Sequence, residues 1–429
     1  MNKRLIKLIA CLMLFPLIMA FSACSLITNV MQEICEHEWS EWVGDENKHT
    51  RTCQICEKSE SNEHDFGNNM CKVCLYRKIV VTPYVPAEGS ISFHFMSLGN
   101  KYSGDCIYVK AGENDILIDA GSREGSVDDI KSYLDGFVTD GKLEYVIATH
   151  ADRDHIAGFS ADEGIFYLYE CETIIDFPLT DKTTQTYKDY VKYRDQEVQS
   201  GATHYTALEC YNETNGAKRK YDLSEDGSIN FEILYNYYYE NRDDDENNYS
   251  VCLQFNHGSK KFLFTGDLEK EGEEKLVLYN QLAPVELFKA GHHGSPTSSN
   301  NCLLDVIQPK ICVACCCAGS TEFTDNMPNT FPSQAFIDRI APHTDMVFVP
   351  LMIEAELIPG TEDEYDDVGD FMLLNGNIMV ESKADSVGDD LKPIIGQVTV
   401  KCSNNDTKLK DTEWFKKYRV MPDAWKQTA

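Results

Sequence analysis

Six consecutive residues, His150 to His155 (HADRDH), carry two imidazoles and two carboxylates. An apolar core cannot absorb so many ligand-type groups unpaired. Groups of the same kind recur along the chain: Asp119 at the end of DILID, Asp267 after KFLFTG, and His292 with His293 in AGHHGS. Imidazole with carboxylate suits zinc, and added oxygen donors favour manganese or another harder divalent ion. A second chemistry lies nearer the N-terminus, where Cys53-x2-Cys56 and Cys71-x2-Cys74 form two knuckles separated by fourteen residues. That spacing predicts a four-thiolate zinc ribbon, each knuckle turning two sulfurs toward one tetrahedral ion. Cys35, His37, His49 and His64 allow a second site or a mixed Cys/His site, so one or two structural zinc ions are expected; two disulfides are the alternative in an oxidising exterior. A filled thiolate site leaves no open coordination position, so this module is read as structural.

Elements must carry these groups to one place. ISFHFMSL, CIYVKA and DILIDAG read as strands, VDDIKSYLDGFV as a helix, and LEYVIATH as a buried strand that runs out at His150. Chemistry on loops that follow strands is the usual arrangement of open α/β sites. His150-x-Asp152-x-Asp154-His155 is similar to the H-x-H-x-D-H signature of metallo-β-lactamase-fold hydrolases. With aspartate for the second histidine, it resembles the C-terminal hydrolase domain of ComEC-type competence proteins. ILIDAG, NNYSVCLQF, KFLFTGDLE and FKAGHHGSPTSS follow the pattern in order, and the resemblance covers Ile91 to Ser382.

The resemblance implies an α/β (α+β) fold, a four-layer αββα sandwich, here preceded by the small zinc-ribbon-like Cys/His module. It implies two divalent metal ions, zinc as first choice and manganese second, activating a water for phosphodiester hydrolysis. Asp154, His155, Asp267 and His292 are expected around one ion, and His150, Asp152 and the shared Asp267 around the other. Asp154 is expected to steer the water, His293 to donate to developing negative charge, and Asp119 to buttress a ligand histidine or cap a turn. Ser295 and Thr297 are expected either to contact substrate or to cap a helix. The chain departs from the pattern twice. ENNYSVC replaces a P-G-H-type stretch, with His204 the nearest substitute, and Phe331 stands where the pattern has histidine before proline.

Composition bounds the partners. With 39 Lys and Arg against 70 Asp and Glu, the formal charge is -31, which disfavours long duplex DNA, since affinity for it rests on basic side chains. A small-molecule or cell-envelope phosphoester fits better. MNKRLIK, the apolar run from Leu8 to Phe21 and then FSAC read as a lipoprotein-type signal with Cys24 as the lipidated residue. The expected localisation is thus the bacterial cell membrane, lipid-anchored on the extracellular face. Phe21 stands where a lipobox usually has leucine, which leaves secretion by another peptidase as the alternative.

The expected order is residues 1–23 signal, 24–34 tether, 35–76 Cys/His module, 77–90 linker, 91–383 hydrolase domain and 384–429 an extension packed on it. Cys312, Cys315, Cys316 and Cys317 read as small buried hydrophobes. Tyrosines of the insertion between Phe166 and Asn248 are expected to roof a cleft or stack on a ligand. Two further function classes remain open: a partner-binding surface lipoprotein on a weakly metallated or inactive scaffold, and a lactone or thioester hydrolase.

Overall fold

Strands Ile91–Phe95, Ile107–Ala111 and Asn114–Ile118 are buried along nearly their whole length. Side chains on both their faces therefore meet protein, as strands inside a layered sandwich require. The computed structural model describes residues 35–44, 48–67, 70–71, 73–74, 89–357, 365–387 and 393–426, which divide into two compact units between Thr82 and Pro83. In the larger unit those strands belong to an eight-stranded sheet, ordered Thr203–Thr206, Glu170–Asp176, Lys142–Ile147, Asn114–Ile118, Ile107–Ala111, Ile91–Phe95, Ile378–Ser382, Val398–Cys402. A seven-stranded sheet runs Lys220–Asp222, Ile229–Ile233, Leu253–His257, Lys260–Phe264, Leu287–Lys289, Ile311–Val313, Val347–Phe348.

Each sheet is half parallel and half antiparallel. The parallel run spans Thr203–Thr206 to Asn114–Ile118 in the first and Lys260–Phe264 to Val347–Phe348 in the second. Parallel neighbours send their C-terminal ends, and the loops after them, to the same rim. Phe93 fixes the facing of the two sheets, its ring 5.3, 4.7 and 5.4 Å from those of Phe255, Phe262 and Phe264. Helix Val127–Leu134 covers the outside of the first sheet, where Tyr133 bonds the His94 ring at 2.7 Å. Leu263, Phe288 and Cys312 on the outside of the second pack with Leu276, Leu303, Phe336 and Ile337 from three helices. Helix, sheet, sheet, helix is the four-layer order expected.

The C-terminal residues are part of this sandwich. Val398–Cys402 pairs with Ile378–Ser382 as the edge of the first sheet, and Trp414, Phe415 and Trp425 enter the core beneath the second. Cys312, Cys315, Cys316 and Cys317 are buried, as small hydrophobes would be. In the insertion, helix Gln185–Ser200 forms. Tyr238 and Tyr239 are buried, and the Tyr239 hydroxyl accepts from the Cys252 amide at 2.9 Å, so these rings fill core and offer no stacking platform.

The smaller unit is built on the hairpin Lys48–Thr52 with Ser59–Glu63, to which Val43–Gly44 adds. Arg51 lies between the rings of Trp39 and Trp42, 4.7 and 4.6 Å from their centroids. Among the described residues Cys74 is not brought to Cys53 and Cys56, as a four-thiolate site would require. Cys53 and Cys56 share a cluster with Cys35 and His37, while Cys74 lies with His49 and His64. The hairpin is the reason: it carries Cys53 at its turn and His49 toward its open end. The Cys71 side chain, residues 1–34 with Cys24, and the linker residues 77–88 lie outside the described residues. Among the described residues no helix is long and apolar enough to cross a membrane.

Candidate metal centre

The rim of the sandwich is where the ligand-type residues meet. Asp119 follows Asn114–Ile118, His150 follows Lys142–Ile147, Asp267 follows Lys260–Phe264, and His292 and His293 follow Leu287–Lys289. Asp154 and His155 lie in the first turn of helix Arg153–Ser160. That turn is pressed onto Gly121: a Cβ there would lie 1.4 Å from the Asp154 carbonyl oxygen, so any larger residue would expel the turn.

All four imidazoles are held in one manner. His150 Nδ1 meets Thr149 Oγ1 at 3.1 Å, His155 Nδ1 meets Asp119 Oδ2 at 2.8 Å, His292 Nδ1 meets Glu269 Oε1 at 3.2 Å, and His293 Nδ1 meets the Cys315 carbonyl at 2.9 Å. A ring tethered through Nδ1 presents Nε2, which is how protein-held metal ligands are oriented. The Nε2 atoms of His150, His155 and His293 are buried with no hydrogen bond among the described residues. Those of His155 and His293 each lie 3.1 Å from Asp267 Oδ2. Asp105, His155, Asp267 and His293 bring ligand atoms within 4.8 Å of one another, all four residues buried. This donor set of two imidazoles and two carboxylates fits a divalent transition ion.

Asp119 buttresses rather than merely caps. Its carboxylate accepts from the Thr149 amide and hydroxyl at 2.7 Å each while holding His155. Asp119, His292 and His293 sit at φ of 57°, 46° and 56°, left-handed backbone that costs a non-glycine residue on the order of 1–2 kcal/mol. Such conformations persist where the surroundings enforce them, and they gather at functional sites.

The structure exchanges the expected places of the two adjacent histidines. His293 is in the inner group, and His292 stands at the rim with its side chain 19% exposed and its Nε2 3.9 Å from Asp267. His150 Nε2 faces Asp152 at 3.8 Å, and Asp152 is also ion-paired with Lys182. Asp154 Oδ2 lies 3.3 Å from His293 Nε2. His204 is elsewhere, 2.8 Å from Asp176 in a network with Arg194. Ser295 and Thr297 do not cap the following helix, whose N-cap is Asn300. Their hydroxyls bond each other at 2.9 Å, Thr297 also reaches Glu269, and helix Asn301–Ile307 starts behind Asn300. Arg339 grips the carbonyls of Pro296, Ser298 and Ser299, so the loop is committed to its own architecture. The stretch in place of P-G-H is a clamp: Ser250 Oγ accepts from the Asp267 amide and Asn248 from the Glu269 amide. Phe331 lays its ring 5.7 and 6.3 Å from those of His292 and His293.

Two charged residues were not anticipated. Asp105, in SGDC before the strand Ile107–Ala111, reaches His293 Nδ1 at 3.2 Å. Lys289, the last residue of Leu287–Lys289, places Nζ 2.5 Å from Asp105 and 3.0 Å from Asp267. The available signal was a charged residue bordering, or ending, an otherwise apolar strand.

Burial pushes the Asp267 carboxyl up, but His155, His293 and Lys289 together outweigh it and hold it well below the ordinary range. Burial drives His155 and His293 down, yet Asp267 acting with Asp119 on the first and with Asp105 on the second raises both well above an ordinary imidazole. His150 is driven the opposite way, by burial and then by His155. Protons on His155 and His293 compensate the same carboxylates a divalent cation would, so cation and protons compete.

No family model matches the chain. Over 215 residues it is 27% identical to Recombination protein 2 of Haemophilus influenzae, 48% of this chain and 22% of that protein. Over 110 residues it is 38% identical to Competence protein ComA of Neisseria gonorrhoeae, 24% of this chain and 14% of that one. The chain resembles the competence proteins. The matched stretches thus span less than a quarter of these relatives' own length. Among solved structures, the metallo-β-lactamase fold protein YhfI from Bacillus subtilis aligns with a TM-score of 0.30 at 10% identity, over 47% of this chain and 70% of that one. The large unit is a four-layer sandwich of two part-parallel sheets with outer helices.

In this fold the Asp119 contact is a direct test of the centre. Asp119→Asn keeps the shape but loses the charge facing His155, and it should weaken zinc or manganese binding by about 10–100-fold, read by chelator competition with the circular dichroism spectrum unchanged. Unaltered affinity would show that His155 is not held as a ligand.

Proposed function

We propose that this protein is a metal-dependent hydrolase of phosphoesters, acting outside the cell. The reading is carried by the four imidazoles tethered through Nδ1 around buried carboxylates. His155, His293, Asp267 and Asp105 or Asp154 would hold the deeper ion, and His150, Asp152 and Asp267 a second. A divalent cation there supplies Lewis acidity and lowers the pKa of water toward neutrality.

The chain's own residues do the rest. Asp154 keeps 17% side-chain exposure against 1% and 2% for Asp105 and Asp267, so it is the inner carboxylate that incoming water meets and orients. His292, at the rim and fixed by Glu269, is placed to give a proton to a leaving oxygen. Phe331 walls the histidines off on one side and keeps water from them.

A cleft that shares Asp152 with the centre argues for the substrate class. An open cleft of about 620 Å³ is lined by Asp152, Asp181, Asp243, Asp244, Asp245 and Glu246 around Lys182. So acidic a mouth repels a polyanion and favours a phosphoester whose remainder is neutral or cationic. Bis(p-nitrophenyl) phosphate with added zinc or manganese should be turned over. Asp154→Ala and Asp267→Ala should each lower kcat/KM by about 100-fold or more, and duplex DNA should be a far poorer substrate. Turnover confined to lactones or thioesters, or activity indifferent to both substitutions, would overturn the reading.

One observation favours a second reading. The Lys289 ammonium already lies against Asp105 and Asp267, an internal cation that could leave a weakly metallated scaffold for a partner. Absence of turnover with any ester, together with less than one equivalent of ion in the large unit, would support that scaffold.

The surface location rests on Cys24 as an acylated residue. A radiolabelled fatty acid should enter the protein expressed in a bacterial host and should not enter Cys24→Ala; label retained in the variant would remove the anchor from the proposal.

A further inference from the structure

Among its described residues the small unit has no apolar interior. The buried side chains among them are Cys53, Cys56 and His49, at 0%, 8% and 3% exposure, while Val43, Ile55 and Val73 are exposed. A unit this small without an apolar core needs a staple, and the groups at its centre are themselves ligand types.

Their separations identify the staple. Cys35 Sγ and Cys53 Sγ are 3.8 Å apart, Cys56 Sγ and His37 Nδ1 3.3 Å, and Cys74 Sγ and His64 Nδ1 3.5 Å. Tetrahedral zinc, with bonds of about 2.3 Å to sulfur and about 2.05 Å to nitrogen, sets edges of roughly 3.8 Å between two sulfurs and roughly 3.6 Å between sulfur and nitrogen. A disulfide would bring the sulfurs to about 2.05 Å, far inside the 3.8 Å between Cys35 and Cys53. The Ile55 amide donates to Cys53 Sγ at 3.4 Å, as a knuckle wrapped around a thiolate does.

The hairpin register separates the clusters. Thr52 pairs with Ser59 beside the turn, and His49 pairs with Asn62, just before His64, toward the open end. The bridge between Trp39 and Cys53 and the bond from the Gln54 amide to the Glu38 carbonyl bring Cys35 and His37 to the turn. The His49 and His64 rings are 5.4 Å apart. Four residues of strand, roughly 13 Å, lie between His49 and Cys53.

We propose that the unit folds around two zinc ions whose ligands interleave along the chain. Cys35, His37, Cys53 and Cys56 hold one at the turn of the hairpin. His49, His64 and Cys74 hold the other at its open end. Each ion ties the hairpin to a different flanking segment, so neither alone fixes the whole unit.

Cobalt substitution in the full chain tests this, because the thiolate-to-cobalt charge-transfer absorption comes only from sulfur-bound ions and the large unit's centre has no thiolate. Cys53→Ser and Cys35→Ser should each remove about three of the four cobalt–thiolate bonds, and combining them should remove nothing more. Cys74→Ser should remove the remainder, additively with either. His37→Ala should perturb the same band as Cys53→Ser, and His64→Ala the same band as Cys74→Ser. Loss of all absorption on Cys53→Ser together with no effect of His37→Ala would restore a single four-thiolate ion and overturn the proposal. Absence of charge transfer, with thiols blocked as disulfides in the denatured unreduced chain, would overturn it as well. Zinc-edge absorption of the full chain with the large unit's ligands removed by His155→Ala and Asp267→Ala gives a further check: a mixed sulfur and nitrogen shell is expected, and a pure sulfur shell contradicts it.

Discussion

Carboxylates crowded at one buried rim are the constraint on which the large unit depends. Asp105, Asp119 and Asp267 have almost no solvent, and Asp154 joins them through His293. Two like charges about 4 Å apart repel by about 4 kcal/mol at an effective dielectric of 20, so the fold must supply positive charge at the same place. It does so with Lys289 and with a raised proton affinity at His155 and His293, and among the described residues three buried Nε2 atoms have no hydrogen bond. A group of this kind has little value to stability and much to the binding of a cation.

The sandwich is arranged to deliver these groups from distant points of the chain. Strands before Asp119 and His150 are parallel neighbours in one sheet, and strands before Asp267 and His292 are parallel neighbours in the other. Loops from both sheets therefore converge at one edge. Cross-bonds then fix the loops to each other: the Gly121 amide to the Asp105 carbonyl, the Asp105 amide to the Asp154 carbonyl, and the Val251 amide to the Thr149 carbonyl. The rigidity of the site is a property of these bonds between loops, with the phenylalanines between the sheets as the floor beneath.

What was legible in the sequence follows from what is local. HADRDH announces itself because its ligands are neighbours, and the early strands because their apolar runs mirror burial on both faces. Asp105 and Lys289 were not legible, since each is a lone charge beside an apolar strand and acquires meaning only when two sheets are stacked. The order of His292 and His293 was not legible either; a left-handed turn decides which ring goes in, and spacing carries no trace of it. The knuckles misled for a similar reason, because C-x2-C spacing says how two thiolates pair and nothing about which end of a hairpin each pair will occupy. The C-terminal strand read as an extension because its partner, Ile378–Ser382, sits at the edge of a sheet begun nearly three hundred residues earlier.

A crystal of the protein grown with zinc or manganese, with anomalous scattering recorded at the metal edge, measures the central claim most directly. The account predicts a peak about 2.0–2.2 Å from His155 Nε2, His293 Nε2 and an oxygen of Asp267, with the Lys289 ammonium displaced toward Asp105. No peak at that rim, with Lys289 still bridging Asp105 and Asp267 and the imidazole Nε2 atoms bonded to water, would contradict it.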